Sequence, residues 1–126
     1  MKNIIKYLAS SVIFLFLIAG SSVSETSLLG SWSFNVNGAP WEFNSGNMIF
    51  DHNEEAELEG KIVFHTGREV TVQNLTFEEE EFEFTVVVDG YDVQAVFSIE
   101  EEQIRGRAMS MEGNMSFTAT KKVDEE

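Results

Sequence analysis

The sequence predicts an all-β protein, an antiparallel up-and-down meander of about eight short strands closed into a small β-barrel. Three observations carry that expectation. Apolar residues recur at every second position in run after run, turn-forming pairs punctuate the runs, and no segment keeps a 3.6-residue period long enough for a helix. A two-sheet β-sandwich is the alternative that the same pattern allows.

The clearest stretch is Phe82 to Phe97, FEFTVVVDGYDVQAVF. Phe82, Phe84, Val86 and Val88 alternate with Glu81, Glu83, Thr85 and Val87, and Asp89-Gly90 supplies the positive φ angles of a two-residue type I′ turn. Pairing Val88 with Tyr91 sets Val86 against Val93, Phe84 against Ala95 and Phe82 against Phe97, so one face is wholly apolar. A turn at Glu101-Glu102 extends that face by pairing Ile99 with Ile104, Phe97 with Gly106 and Ala95 with Ala108. A loop through Met111-Glu112-Gly113 then sets Ala108 against Met115, Gly106 against Phe117 and Ile104 against Ala119.

Upstream, Trp32, Phe34 and Val36 share one face of a first strand, which Asn37-Gly38 and Pro40 end. Positions 41 to 50 read as one bent strand or two short ones, with Trp41, Phe43, Met48 and Phe50 alternating around Asn44-Ser45-Gly46. After the polar stretch DHNEEAE, Leu58, Gly60, Ile62 and Phe64 face one way and Val63 the other. Val70 and Val72 keep one parity, Leu75 and Phe77 the other, so a β-bulge is expected near Gln73-Asn74. The carboxylates from Glu78 to Glu81 suit a solvated hairpin tip. Gly60 and Gly106 fall inside strands, where they act as kinks that let a curved sheet close, with Phe97 covering the bare backbone of Gly106. That favours the barrel over the sandwich.

The chain opens with Lys2 and Lys6, an apolar run from Val12 to Ala19, and Ser22 and Ser24 at the −3 and −1 positions of a cleavage site. This reads as a secretory signal peptide over residues 1–24, followed by a single domain over residues 25–126 with a short acidic C-terminal tail. The apolar run is shorter than the roughly 20 residues that span a bilayer, so no membrane anchor is expected after cleavage. The destination is the periplasm or the extracellular space, and the domain is expected to be a monomer. With no cysteine, it stands on packing alone, without disulfides.

Composition narrows the function. The 22 acidic residues against 8 basic ones give a net charge of −14, and losing Lys2 and Lys6 makes the exported form more acidic still. Such a surface repels nucleic acid and anionic lipid. There is no G-x-S-x-G elbow and no cysteine nucleophile, and His52 and His65 lie among polar turn residues without zinc-binding spacing. The carboxylate runs lack the alternating pattern of a calcium loop. No enzyme activity, metal or cofactor is therefore expected.

Gly30-Ser31-Trp32 resembles the G-x-W signature on the first strand of lipocalins and their barrel relatives. The resemblance implies that Trp32 closes the barrel floor beneath a basic side chain near the last strand, a place that Lys121 or Lys122 can fill. Read from the residues alone, Trp32 is equally a plain core aromatic. The layout, an exported short meander ending in FTATKK, is similar to the small lipocalin-like β-barrel domains of bacterial secreted proteins.

Two functions follow from this reading. A small barrel has an interior that is either filled or holds one small molecule. Its candidate ligand-binding residues are Trp32, Phe84, Ala95, Phe97, Gly106, Ala108 and Phe117, where the small side chains Ala95, Gly106 and Ala108 on adjacent strands leave a hollow for an apolar guest. The bulk of the other inward residues, Trp32, Phe34, Phe43, Met48, Phe50, Leu58, Ile62, Phe64, Phe82, Tyr91, Ile104 and Met115 among them, argues instead for a filled core. The alternative function is an interaction module for another protein, using Val63, Val87 and Val96, which alternation pushes to the outer face. The export reading is checked by the intact mass of protein recovered from the export compartment. It should correspond to a chain beginning at Glu25, and a mass retaining Met1 to Ser24 would contradict it.

Overall fold

The computed structural model describes residues 23–123, so residues 1–22 of the expected signal peptide and the last three residues of the acidic tail lie outside it. Among the described residues nine antiparallel strands form one sheet: β1 (Gly30–Val36), β2 (Ser45–His52), β3 (Leu58–Phe64), β4 (Glu69–Thr71), β5 (Gln73–Glu78), β6 (Glu81–Val88), β7 (Tyr91–Glu100), β8 (Gln103–Ser110) and β9 (Gly113–Lys121). Their spatial order is β4-β3-β2-β1-β9-β8-β7-β6-β5. First and last strands pair, Phe34 lying opposite Ala119, so the meander curls into a nearly closed barrel rather than a sandwich.

The last four strands hold the registers that the turns impose. Val88 lies opposite Tyr91 and Phe82 opposite Phe97; Phe97 lies opposite Gly106, and Gly106 opposite Phe117. Asp89 and Gly90 have φ of 53° and 83°, as a type I′ turn needs. Glu101-Glu102 and Glu79-Glu80 adopt the same positive φ without any glycine, which leaves their carboxylates in solvent at hairpin tips.

The parity slip after Val72 is where the barrel closes. Residues Glu69 to Thr71 pair with β3, the Val72 N–H still donates to the Gly60 carbonyl at 2.9 Å, and Gln73 already pairs with Thr85 of β6. A register shift lies between Gln73 and Thr76, with Asn74 at φ 56°. The expected bulge is thus a strand changing partners, which splits one run into β4 and β5 and raises the strand count to nine.

One local expectation is overturned. Trp41 and Phe43 lie in a 3₁₀ turn, Trp41–Phe43, not in a strand. Pro40 opens it, the Phe43 N–H donating to the Pro40 carbonyl at 2.9 Å, and Trp41 is left exposed. Its alternation with Phe43 reflects position in a turn, not a pleat.

Phe82, Phe97, Trp32, Phe50 and Ile104 are fully or almost fully buried. Phe97 stacks on Phe82 at 5.3 Å with 12° between planes, and meets Phe84 and Phe117 edge-on at 5.7 and 5.9 Å. A Cβ at Gly106 would overlap the Val96 carbonyl oxygen and Phe97 itself, and one at Gly60 would strike the Phe50 ring. Gly60 is therefore covered by the Phe50 ring, and Gly106 admits a close approach of the Phe97 backbone and Cβ. Phe97→Ala should cost about 3–5 kcal/mol, most of the stability of a small domain holding about 5–15 kcal/mol. Chemical denaturation measures this, and a loss below about 1 kcal/mol would be incompatible with so buried a ring.

Candidate functional site

The barrel has two unlike ends. At the floor, a 3₁₀ turn, Glu25–Leu28, precedes β1 and inserts Leu28, which is wholly buried. Trp32 Nε1 donates to the Leu28 carbonyl at 2.9 Å. Lys121 crosses from β9, its Nζ donating to the Leu29 carbonyl at 2.6 Å and standing 5.1 Å from the Trp32 ring centroid. The Lys122 N–H donates to the Ser31 carbonyl. Of the two lysines anticipated over Trp32, Lys121 takes the place, and a separate polar cleft lies at this end between the Glu25–Leu28 turn, the β2–β3 connection and Leu75.

At the other end lies a cavity of about 270 Å³. Its walls are apolar, with Phe34, Phe64, Phe84 and Phe117 around Ala95 and Ala108, and its mouth carries Asp89, Tyr91, Ser110 and Glu112. The segment between β1 and β2 forms one lip through Ala39, Pro40 and Phe43. That lip is held down by His65, whose Nε2 donates to the Trp41 carbonyl at 2.7 Å and whose ring packs edge-on to Trp41 at 4.5 Å. Phe43 packs edge-on to Phe64 at 5.1 Å. Across the mouth, Arg68 lies 5.6 Å from the Phe43 ring centroid and pairs with Asp89 at 2.7 Å.

Of the residues anticipated around a ligand, Phe84, Ala95, Ala108 and Phe117 come together in the cavity wall. Trp32, Phe97 and Gly106 do not reach it. Trp32 belongs to the floor, and Phe97 over Gly106 lies behind the rings of Phe84 and Phe117. The filled core therefore describes the lower half only. The lip residues Ala39, Pro40 and Phe43 were missed as a group. Pro40 directly before Trp41-Glu42-Phe43, a favoured start for a helical turn, was the signal that marked them.

The outer valines are scattered over the sheet. Val87 is 40% exposed, while Val63 and Val96 are half-buried. Val87 lies opposite Asp92, Val96 between Glu83 and Arg107, and Val63 between Asn47 and Glu69. The pair Thr85 and Gln94 separates Val87 from Val96, with Gln94 donating to Glu83. Larger exposed apolar side chains gather at the mouth: Trp41 is 68% exposed, Tyr91 51% and Met111 89%. Among the described residues no group of three or more acids and histidines converges as metal ligands, and no helix is long and apolar enough to cross a membrane.

No protein-family model matches the chain, and no curated protein matches it. Among solved structures it is similar to a redesigned β-barrel, with a TM-score of 0.57 and 15% identity over 76% of this chain and 92% of that one. It is also similar to a mutant of the fluorescent protein UnaG, with a TM-score of 0.55 and 11% identity over 80% of this chain and 100% of that one. The likeness shows the fold: a small antiparallel β-barrel.

The floor contacts should be dispensable for the cavity. Lys121→Met removes one charge-assisted hydrogen bond, so it should lower stability by about 1.5–3 kcal/mol and leave ligand binding at the far end unchanged. Denaturation alongside a dye titration checks both halves of that statement.

Proposed function

We propose that this protein is a non-catalytic, exported, lipocalin-like barrel that holds one small apolar molecule in its upper chamber. The observation that carries the reading is the cavity itself, about 270 Å³ in volume and walled by phenylalanine, valine, alanine and methionine. An apolar cavity of about 150 Å³ stays dry and takes up benzene, so this one has room for two fused rings or a short chain. Polar groups stand only at the mouth, where a guest's polar end would emerge. Export is supported by the N-terminal pattern of Lys2, Lys6, the apolar run and Ser22-x-Ser24. Cleavage after Ser24 would keep the whole floor turn, Glu25–Leu28, in the mature domain.

Titration with a naphthyl dye or a medium-chain alcohol, followed by tryptophan fluorescence, should give saturable one-to-one binding. Ala95→Phe places a ring in the chamber between Phe84 and Ala108, and should abolish binding while the melting temperature holds or rises. Ala108→Phe provides the same block from β8. Absence of saturable binding, or binding that both variants leave intact, would sink the proposal.

A further inference from the structure

We infer that the chamber selects a neutral or cationic amphiphile and rejects an anionic one. This rests on the reading of the chamber as a ligand site and adds the chemical class of the guest. An anionic guest, such as a fatty acid, needs a cation to meet its carboxylate once its chain is buried, because an unpaired charge held near apolar walls is costly. Among the described residues no lysine, arginine or histidine lines this cavity. The ionisable groups that do line it are Asp89, Glu112 and the phenol of Tyr91, all at the mouth.

The nearby cations are committed elsewhere. Arg68 is paired with Asp89 at 2.7 Å, and the His65 ring nitrogen is engaged by the Trp41 carbonyl. Arg105 and Arg107 lie on the outward face of β8, alternating with Ile104, Gly106 and Ala108. Lys121 is at the opposite end, bonded to the Leu29 carbonyl. Glu112 adds a carboxylate on the rim beside Ser110, whose hydroxyl accepts from the Glu112 N–H. A guest with an ammonium end meets favourable charge at the mouth, and the aromatic lip and walls, Phe43 and Tyr91 among them, offer ring faces to the same cation.

The test uses three probes with one apolar body: naphthylmethylamine, naphthalenemethanol and naphthoate, titrated by calorimetry at low and at physiological salt. The amine should bind at least about tenfold tighter than the carboxylate, the scale that one rim carboxylate outside an ion pair, Glu112, supplies in water by attracting one probe and repelling the other, with the alcohol between. The gap should shrink as salt rises. Glu112→Gln should bring the ratio towards one, with Asp89 retained so that Arg68 stays paired. Ala95→Phe must remove all of this binding. Naphthoate binding as tightly as the amine, or a preference that survives Glu112→Gln, overturns the inference while leaving the apolar-ligand reading in place. If the neutral alcohol also fails to bind, that underlying reading falls and takes this one with it.

Discussion

The structure depends on how closely β7 approaches β8 at Phe97 and Gly106. A meander of nine strands returns to its starting edge only if its sheet bends sharply, and bending brings inward side chains on neighbouring strands into conflict. Gly106 removes one of those side chains, and Phe97 lies over the bare backbone in its place. Because Gly106 faces Phe97 on one side and Phe117 on the other, the two rings meet above it at 5.9 Å, joining β7 to β9 across β8. The stack of Phe97 on Phe82 carries the same layer onto β6. A ring layer that spans four strands is a rigid waist, and it divides the interior into two compartments.

The compartments differ because adjacent rows of the sheet differ in size. In the waist row, Phe82, Phe97, Gly106 and Phe117 face one another, and a single missing side chain is roofed by its neighbours. One step towards the mouth the row is Phe84, Ala95, Ala108 and Met115. Two neighbouring alanines leave more space than the flanking side chains cover, and the waist rings below are already engaged with one another. The cavity is the result. One step towards the floor, Ile99, Ile104 and Ala119 are buried in the same core as Leu28 and Trp32. Filled core and hollow barrel are thus both correct, each for one half of the molecule.

Most of the fold was legible in the sequence because two-residue turns set register. Once Asp89-Gly90 is a type I′ turn, every pairing from Phe82 to Phe97 follows, and the next two hairpins extend it through Ala119. Parity also identified Gln73-Asn74 as a break, although not as the seam where one strand leaves β3 for β6. Parity fails on depth. It shows that Trp32, Phe84, Ala95, Phe97, Gly106, Ala108 and Phe117 all point inward, but not which of them lie at the floor, the waist or the chamber. That depends on tilt and on how rings fold over their neighbours, and it is why only Phe84, Ala95, Ala108 and Phe117 line the cavity. Trp41 and Phe43 mimic strand alternation while Pro40 directs them into a 3₁₀ turn, so the lip was hidden by a period of two that had another cause.

The two ends also differ in how they meet solvent. The floor-end connections carry Glu54 and Glu55 between β2 and β3, Glu79 and Glu80 between β5 and β6, and Glu101 and Glu102 between β7 and β8. Two of those turns place glutamate at positive φ in both central positions, a conformation disfavoured by roughly 1–2 kcal/mol per residue. Asparagine and glycine would fit them better, so turn geometry alone does not account for the glutamates. Their charge accounts for what their backbone does not: it keeps the ends of β5 and β6 hydrated beside the seam, where a nearly closed sheet is most open to a foreign strand. At the mouth end the connections hold Trp41 and Met111 instead, beside Tyr91 at the start of β7, with fewer carboxylates. The floor end therefore faces outward as a fan of like charges, whereas apolar surface continues from the rim to the chamber wall. An apolar molecule leaving water finds its first favourable contact at Trp41 or Tyr91 and a deeper one at Phe43, Phe84 and Phe117, with no barrier of buried charge between them.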